Sequence, residues 1–491
     1  MLDGACFDYI IVGAGSAGSV IANRLTEIDN AKVLLIEAGG DPPVESVIPG
    51  LLPFMKNTEV DWNYETENDG YSQQYHKNYG VELTRGKMLG GSSSINFLAY
   101  TRGNFHDFNN WAEITGDESW SWANVLPYFK KSERLVDPVM LHSSASSFHG
   151  TDGYLGTTRK YNEEVLRYFE AFEEVGNRIV LDTNGNTPLG ITECMFNVAN
   201  GVRQSTAQSF LHPIKDRPNL FVLKNTLVSK ILFDENKNAI GVEAILENNE
   251  VVQFKADKEV IVSGGAINTP QLLMLSGIGP REHLESHDIP VISDLPVGQS
   301  LQDHVMVMMA HKMGNSPPPK PVDPLYIQSP LMMGYTSLNR RSRGKILLRS
   351  ADPKEKPIIY TGYYSDPIDL KRHASYVEDF AKIQRTEFFE SVNAERVVPE
   401  VCGCENKYST EEYWQCYALC MMVSGYHYSG SAAMGVVVDS RLNVFGVQKL
   451  RVADASVMPK ITGANTNAAT IMIGERAADI IKEDHFLRSR C

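Results

Sequence analysis

Residues 7–18 read Phe-Asp-Tyr-Ile-Ile-Val-Gly-Ala-Gly-Ser-Ala-Gly. Phe7–Val12 is an apolar run of strand type, and it ends in Gly13-Ala14-Gly15-Ser16-Ala17-Gly18. A helical pattern follows from Ser19 to Leu25, and a second apolar run, Lys32–Ile36, ends in Glu37. Strand, glycine turn, helix, strand and acidic residue is the order that a nucleotide-binding βαβ unit requires. Gly13 permits the tight turn, Gly15 keeps a Cβ out of the path of a pyrophosphate, and Gly18 lets helix and strand pack closely. Ser16 and Ala17 open the helix, whose free N–H groups and positive dipole end suit phosphate. Glu37 lies 19 residues past Gly18, with Ala38 beside it, placed to accept hydrogen bonds from ribose hydroxyls.

Composition narrows the class. A chain of 491 residues is too long for one core, so at least two domains are expected. With 43% hydrophobic and 22% charged residues it falls in the soluble globular range. A net charge of −14 argues against nucleic acid and anionic membrane surfaces as partners. No apolar run reaches the roughly 18 residues of a membrane span. The first strand begins near Phe7, which leaves no room before it for a signal peptide. The expectation is a cytoplasmic protein, or an extracellular one whose leader is absent from this chain. No Asn-x-Ser/Thr sequon is present, which mildly disfavours a secreted glycoprotein.

Four further stretches accompany a glycine- and serine-rich loop at Arg85-Gly86-Lys87-Met88-Leu89-Gly90-Gly91-Ser92-Ser93-Ser94-Ile95-Asn96. They are Gly265–Pro280, Val297–His304, Tyr426–Gly435, and Asp454–Pro459 continuing through Asn465-Thr466-Asn467. In this order, and over nearly the whole chain, they resemble the glucose–methanol–choline (GMC) oxidoreductase family, whose members use FAD. Within that family the likeness is to the insect enzymes, among them glucose dehydrogenases and ecdysone oxidases. The resemblance implies an α/β fold: a Rossmann-type FAD-binding domain from discontinuous segments, plus an α+β substrate domain with an antiparallel sheet. The first is expected from 1–154, 203–305 and 441–491, the second from 155–202 and 306–440. Leu220–Phe254 reads as paired strands, Lys258–Ser263 and Lys449–Ala453 as single strands, and Ala468–Glu483 as an amphipathic helix. In the substrate domain Lys345–Arg349 and Pro357–Tyr360 are strand candidates, and Leu370–Arg385 is a helix candidate. The stretch between His304 and Lys345 departs from the family, which has a longer, helical cover over the pocket there.

The resemblance also assigns a chemistry: oxidation of a CH–OH group by hydride transfer to flavin N5. The hydroxyl proton must leave too, so a base within hydrogen-bond reach is needed. His427 is the candidate, since its unperturbed pKa of about 6.5 lets it accept a proton near neutrality. Asn465 sits where the family has histidine or asparagine; its amide donates to a developing alkoxide. A structural loop histidine and a helix-capping asparagine are the plain alternatives. Gly90, Gly91, Ser92 and Asn96 match the loop that holds pyrophosphate and isoalloxazine, and Arg85 either anchors that loop or makes a surface ion pair. Val228 matches a position whose backbone contacts adenine. Asp454, Ala455 and Asn467 are expected at the cofactor, Asn467 as a flavin contact or helix cap. Some relatives attach FAD through a histidine in the loop; Ile95 stands there, so non-covalent FAD is expected. Trp62 and Tyr64 either line the cofactor edge or form a buried cluster, and His149 reads as structural. Ser300 replaces the family's usual asparagine beside Asp303 and His304. Ser429 and Ser431 lack a nucleophile elbow, which argues against a hydrolase.

Of seven cysteines, Cys402, Cys404, Cys416 and Cys420 cluster. The insect resemblance implies a disulfide from Cys404, or Cys402 in its place, to Cys416. A zinc site or free buried thiols remain open, although no metal is assigned, because the spacing is irregular for zinc. The expected partners are a small alcohol and either O2 or another electron acceptor. The substrate class (sugar, ecdysteroid or small alcohol) and the choice between oxidase and dehydrogenase stay open. A flavin-binding relative with reduced or no activity is the alternative, and a flavin lyase a remote one.

Overall fold

The computed structural model describes residues 3–160, 163–313, 331–336, 341–397, 399–404 and 410–487. Its centre is a seven-stranded sheet. Strand β1 (Cys6–Val12) leads through the glycine turn into helix α1 (Gly18–Leu25) and then β2 (Val33–Ile36). β1 and β2 run parallel, with Tyr9 opposite Val33 and Val12 opposite Ile36. Both are buried on both faces, which is why their sequences read as continuous apolar runs rather than alternating ones.

The stretch expected as paired strands divides differently. β3 (Leu220–Leu223) does not join the strands that follow it; it runs parallel to β2 at the sheet edge. β4 (Leu227–Phe233) and β5 (Ala239–Ile245) form the expected antiparallel pair. The next strand, expected to begin at Lys258, is the second half of one long strand, β6 (Val251–Val262). Its first half alternates exposed and buried residues, because it pairs with β5 and has one wet face. Its last four residues, Glu259–Val262, are buried between β1 and the parallel strand Leu450–Val452. One strand thus carries both periodicities, and the change between them hid its continuity in the sequence.

A second, antiparallel sheet stands beside the first. β7 (Val305–Met313) pairs with β8 (Leu331–Thr336), β9 (Ala394–Val397) and β10 (Met422–Ser424). Its odd positions Val307 and Met309 pack with Ala374, Val377, Trp414 and Tyr417 of helices α2 (Pro367–Phe380) and α3 (Thr410–Met421). Its even positions Met306 and Met308 line a cavity, as period-two alternation requires. The hairpin Lys345–Leu347/Ile358–Tyr360 falls in the stretch expected to serve the substrate domain, yet Ile346 and Ile359 bury themselves in the core of the large sheet. Cys404 bonds to Cys416 and Cys402 to Cys420, so all four clustered cysteines are paired and none is left as a thiol or zinc ligand. The expected shortened cover between His304 and Lys345 falls largely on 314–330 and 337–340, outside the described residues. None of the described helices is long and apolar enough to cross a membrane.

The chain closes with β11 (Leu450–Val452) and α4 (Thr466–Lys482), which packs across α1. Gly474 permits that crossing, since a Cβ there would stand 2.9 Å from the Ala17 carbonyl. A buried ion pair fixes the two helices: Arg24 Nε and Nη2 donate to the two Glu475 oxygens at 2.7 and 2.8 Å. Glu475 also accepts from Ser132 at 3.0 Å. Glu475→Ala removes the buried carboxylate from Arg24, leaving it only the half-exposed Glu27 at 3.0 Å, and is expected to destabilise the fold by about 3 kcal/mol. The double replacement Arg24→Met/Glu475→Leu should lose much less, measured by chemical denaturation of each protein.

Candidate active site

A cavity of about 560 Å³ runs between the two sheets, from the glycine turn to the loop after β10. Its walls come from segments hundreds of residues apart, and one close seam joins two glycines. A Cβ on Gly91 would lie 2.8 Å from the Gly15 Cα. Gly91 also has φ +51, where a side chain is strained. Gly15 itself has only ordinary contact, with Gly91 Cα 4.0 Å from the position of its absent Cβ. The two loops therefore lie backbone to backbone along the cavity floor.

At the glycine end, Gly13, Gly15, Ser16, Ala17, Glu37, Ala38 and Val228 all line the cavity. No side chain caps α1; its Ser19 N–H is spent on the Gly15 carbonyl, and the turn residues Ser16 and Ala17 bring the positive end of the helix to the cavity. Glu37 accepts from Ala14 N–H at 2.9 Å and Gly39 N–H at 3.0 Å, one on each oxygen. Burial pushes its carboxyl up to about 7 against the pull of those N–H groups. Gly18 does not reach the cavity; it sits under the turn, where a Cβ would meet the Gly13 carbonyl at 1.9 Å. Gly90 is also outside, and its N–H is not a free donor because it is spent on the Ala14 carbonyl at 2.7 Å.

Arg85, Gly91, Ser92 and Asn96 line the middle of the cavity. Among the described residues Arg85 has no ion-pair partner: its guanidinium donates to the Thr84 and Tyr426 carbonyls and stacks 4.6 Å over the Tyr428 ring. Ser92 accepts from Gly86 N–H at 3.3 Å. Trp62 lines the cavity and stacks on Tyr64, whose hydroxyl accepts from Asn268 at 2.7 Å. Asp454 and Ala455 line the wall; Asp454 accepts from Gly265 N–H, Thr269 and Ser456 N–H, and burial raises its pKa. His149 lies elsewhere, buried between Glu133 and Asp182.

The opposite end gathers His427 and Asn465. Asn465 Nδ2 lies 2.9 Å from His427 Nε2. Asn465 holds the N-cap position of α4 but makes no capping bond with its side chain. Its Oδ1 instead accepts from the Thr101 hydroxyl at 2.8 Å, and its own N–H donates to Thr101 at 3.1 Å. That pair of bonds turns the amide so that Nδ2, the donor, faces the imidazole, and this network assigns His427 Nε2 as a bare acceptor. The proton then sits on Nδ1, 2.9 Å from His304 Nδ1. Burial, and then the nearby Arg85 charge, push the His427 pKa down to about 3. Asp303 holds the loop: it accepts from His427 N–H at 2.7 Å, from Ser424 at 2.7 Å and from the Tyr363 hydroxyl. The Tyr426 backbone beside it has φ +59, an unfavourable conformation for a tyrosine held by these bonds. Asn467 accepts from Ser16 at 2.8 Å, while its Nδ2 is buried without a partner among the described residues. An orphan donor at the cavity wall is what a bound polar group would satisfy.

Sequence reasoning missed Arg203. It is buried, donates to the Ser46 carbonyl at 2.7 Å and to the Asn96 carbonyl and side chain at 2.8 Å, and thereby holds the 93–96 loop. Desolvation without a carboxylate partner brings its pKa down to about 9. Its signal was a lone charge in the otherwise uncharged run Met195–Leu211. Asp303 and His304 stood out in the sequence only as part of the Val297–His304 stretch, and Thr101 carried no signal at all. Ser300 leaves no break: Gln302 and Ser429 bridge the turn to the His427 loop with two backbone bonds of 2.9 Å.

The family model described as GMC oxidoreductase matches residues 7–306 with its N-terminal part and 340–474 with its C-terminal part. Ecdysone oxidase of Bombyx mori is 38% identical over 99% of this chain and 83% of its own length. That alignment takes 563 positions for a chain of 491, so the relative carries residues this chain lacks. Glucose dehydrogenase (FAD, quinone) of Drosophila pseudoobscura pseudoobscura is 34% identical over 97% of this chain and 87% of its own. Among solved structures, an FAD-dependent oxidoreductase from Chaetomium thermophilum superposes with a TM-score of 0.87, at 26% identity, covering 98% of this chain and 99% of that one.

The Glu37 shift has a consequence for stability. Its folded pKa of about 7 lies above the ordinary 4.5, so the folded state keeps a proton that the unfolded state has lost. The contribution is full below pH 4.5 and is lost as pH rises through about 7. Ligand-free protein should therefore lose stability over that window relative to Glu37→Gln, read as the difference between two pH series of denaturant midpoints.

Proposed function

The chain belongs to the GMC oxidoreductase family, and from that premise we propose that His427 takes the hydroxyl proton and Asn465 steadies the oxygen of an alcohol whose hydride goes to non-covalently bound FAD. It is an FAD-dependent oxidoreductase acting on CH–OH donors. The observation that carries the residue-level reading is the 2.9 Å approach of the Asn465 amide donor to the bare His427 Nε2 on a cavity wall. The segments 1–154, 203–305 and 441–491 are proposed as the cofactor domain, and 155–202 with 306–440 as the substrate domain, apart from the 345–360 hairpin that packs with the former.

The cavity's chemistry suits FAD: a helix N-terminus for the pyrophosphate, the Glu37 carboxylate for ribose hydroxyls, and the Asn467 orphan donor toward the ring system. Ile95, at the loop, offers no nucleophile, which supports non-covalent attachment. When bound, FAD supplies a two-electron acceptor for the hydride of the carbinol carbon.

An alcohol oxygen bound at the pair replaces the direct Asn465–His427 bond. Its O–H donates to His427 Nε2, and Asn465 Nδ2 donates to the oxygen. As the proton moves to Nε2, the Asn465 donor steadies the negative oxygen left behind. Burial and Arg85 make an isolated imidazolium costly here, so His427 holds that proton only while negative charge stands beside it. His304 accepts from Nδ1–H, and the positioned Thr101 hydroxyl stops the amide from rotating its oxygen toward the base.

His427→Ala should keep its FAD and lose flavin reduction under anaerobic conditions by about a factor of 10²–10⁴. Near-normal bleaching of the flavin would remove the proposed base. The pH dependence follows from the lowered pKa. The neutral, proton-accepting form persists down to pH about 3, far below the ordinary 6.5. Hence kcat/KM should show no acid limb near 6.5 and should fall only toward pH 3; a limb centred at 6–7 would show that the base is more exposed than this geometry allows.

A further inference from the structure

We propose that the alcohol accepted by this site has an apolar body, aliphatic or aromatic, and is neither a sugar nor a quaternary ammonium alcohol. The inference rests on the reading of His427 and Asn465 as the alcohol-handling pair. It comes from the wall around them. Met306 and Met308 project from β7 on its cavity side, and Val423 of β10 stands directly opposite Met306 in register. Val423 lies four residues before His427, so this apolar edge borders the imidazole. Phe97 and Leu98 close the other side, in the segment that leads to Thr101, and the Phe97 ring lies 6.4 Å from that of Tyr426.

The charged groups of the cavity lie elsewhere or are engaged. Glu37 is tied to the glycine turn, and Asp454 to Gly265, Thr269 and Ser456. Lys56 is half exposed and bonded to Glu82 at 2.6 Å. Among the described residues, no carboxylate lines the cavity beside His427. The pair itself serves one oxygen. A sugar brings several more hydroxyls, and each one buried against methionine, valine or phenylalanine without a partner weakens binding by roughly tenfold. A fixed cation fares no better: Arg85 lines the cavity and already opposes protonation of His427, whereas Asp303 does not line it and is bonded to the His427 N–H, Ser424 and Tyr363. An apolar body displaces water from these walls at no such cost, and the unbranched thioethers of Met306 and Met308 adapt to its shape.

The test uses the purified holoenzyme. Octanol, cinnamyl alcohol, glucose and choline are each mixed anaerobically with it, and the rate of flavin bleaching is followed against concentration. Octanol or cinnamyl alcohol should exceed glucose and choline in kcat/KM by about 100-fold or more. Glucose or choline equalling them would overturn the inference while leaving the His427–Asn465 reading intact. Bleaching by dithionite but by no alcohol would overturn that reading, and the inference with it. A second measurement does not depend on turnover. A tertiary octyl alcohol has no carbinol hydrogen to lose, and it should perturb the flavin spectrum of the wild type without bleaching it. Met308→Glu should raise both its dissociation constant and the KM for octanol at least about tenfold. Unchanged values in a folded, yellow variant would show that β7 does not face the substrate.

Discussion

Two backbones pressed together at Gly15 and Gly91 are the constraint on which the cavity depends. The first belongs to the nucleotide turn and the second to a loop about 75 residues later, and a Cβ on Gly91 would collide with the Gly15 backbone. This seam brings the N-terminus of α1 against the 90–96 loop, so the cofactor floor and the loop leading to Thr101 become one surface. Arg203 supports the same loop from behind, spending its guanidinium on backbone carbonyls rather than on a carboxylate. Such a cation is costly to bury, and its bonds are what offset that cost.

The second sheet does for the reacting end what the first does for the nucleotide end. β7 divides its side chains between a helical core and the cavity, so one strand both stabilises its layer and shapes the site. β10 then leads directly into the His427 loop. Asp303, at the start of β7, grips that loop through a backbone N–H, while Ser424 and Tyr363 crowd around the same carboxylate. The strained Tyr426 is held in place by these bonds, and its carbonyl receives Arg85. Position and electrostatics are therefore coupled: the residue that fixes the loop from one side also lowers the basicity of its histidine.

Much of this was legible beforehand because it depends on local chemistry. The turn at Gly13, the acidic residue at Glu37 and the cofactor loop are constrained by backbone geometry that few residue types satisfy, so they show in the letters. His427 and Asn465 were readable through their motifs, though nothing in the letters alone sets their separation. Other features were not. β3 was grouped with its sequence neighbours, because a strand's pairing partner is decided by where the chain returns and not by its own composition. The unity of β6 was hidden where one face passes from water to core. Arg203 was passed over because a lone arginine reads as surface until its burial is known.

The chain's order of residues settled which nucleotide-binding unit forms and which side chains have the chemistry for proton transfer, because turns, helix ends and titratable groups are properties of short segments. The folded arrangement alone settled which nitrogen of His427 is bare, how far its pKa falls, and that Thr101 and His304 flank the pair. Those follow from distances and burial among residues far apart in the chain, and the free energy of moving a charge or proton depends on everything packed around it.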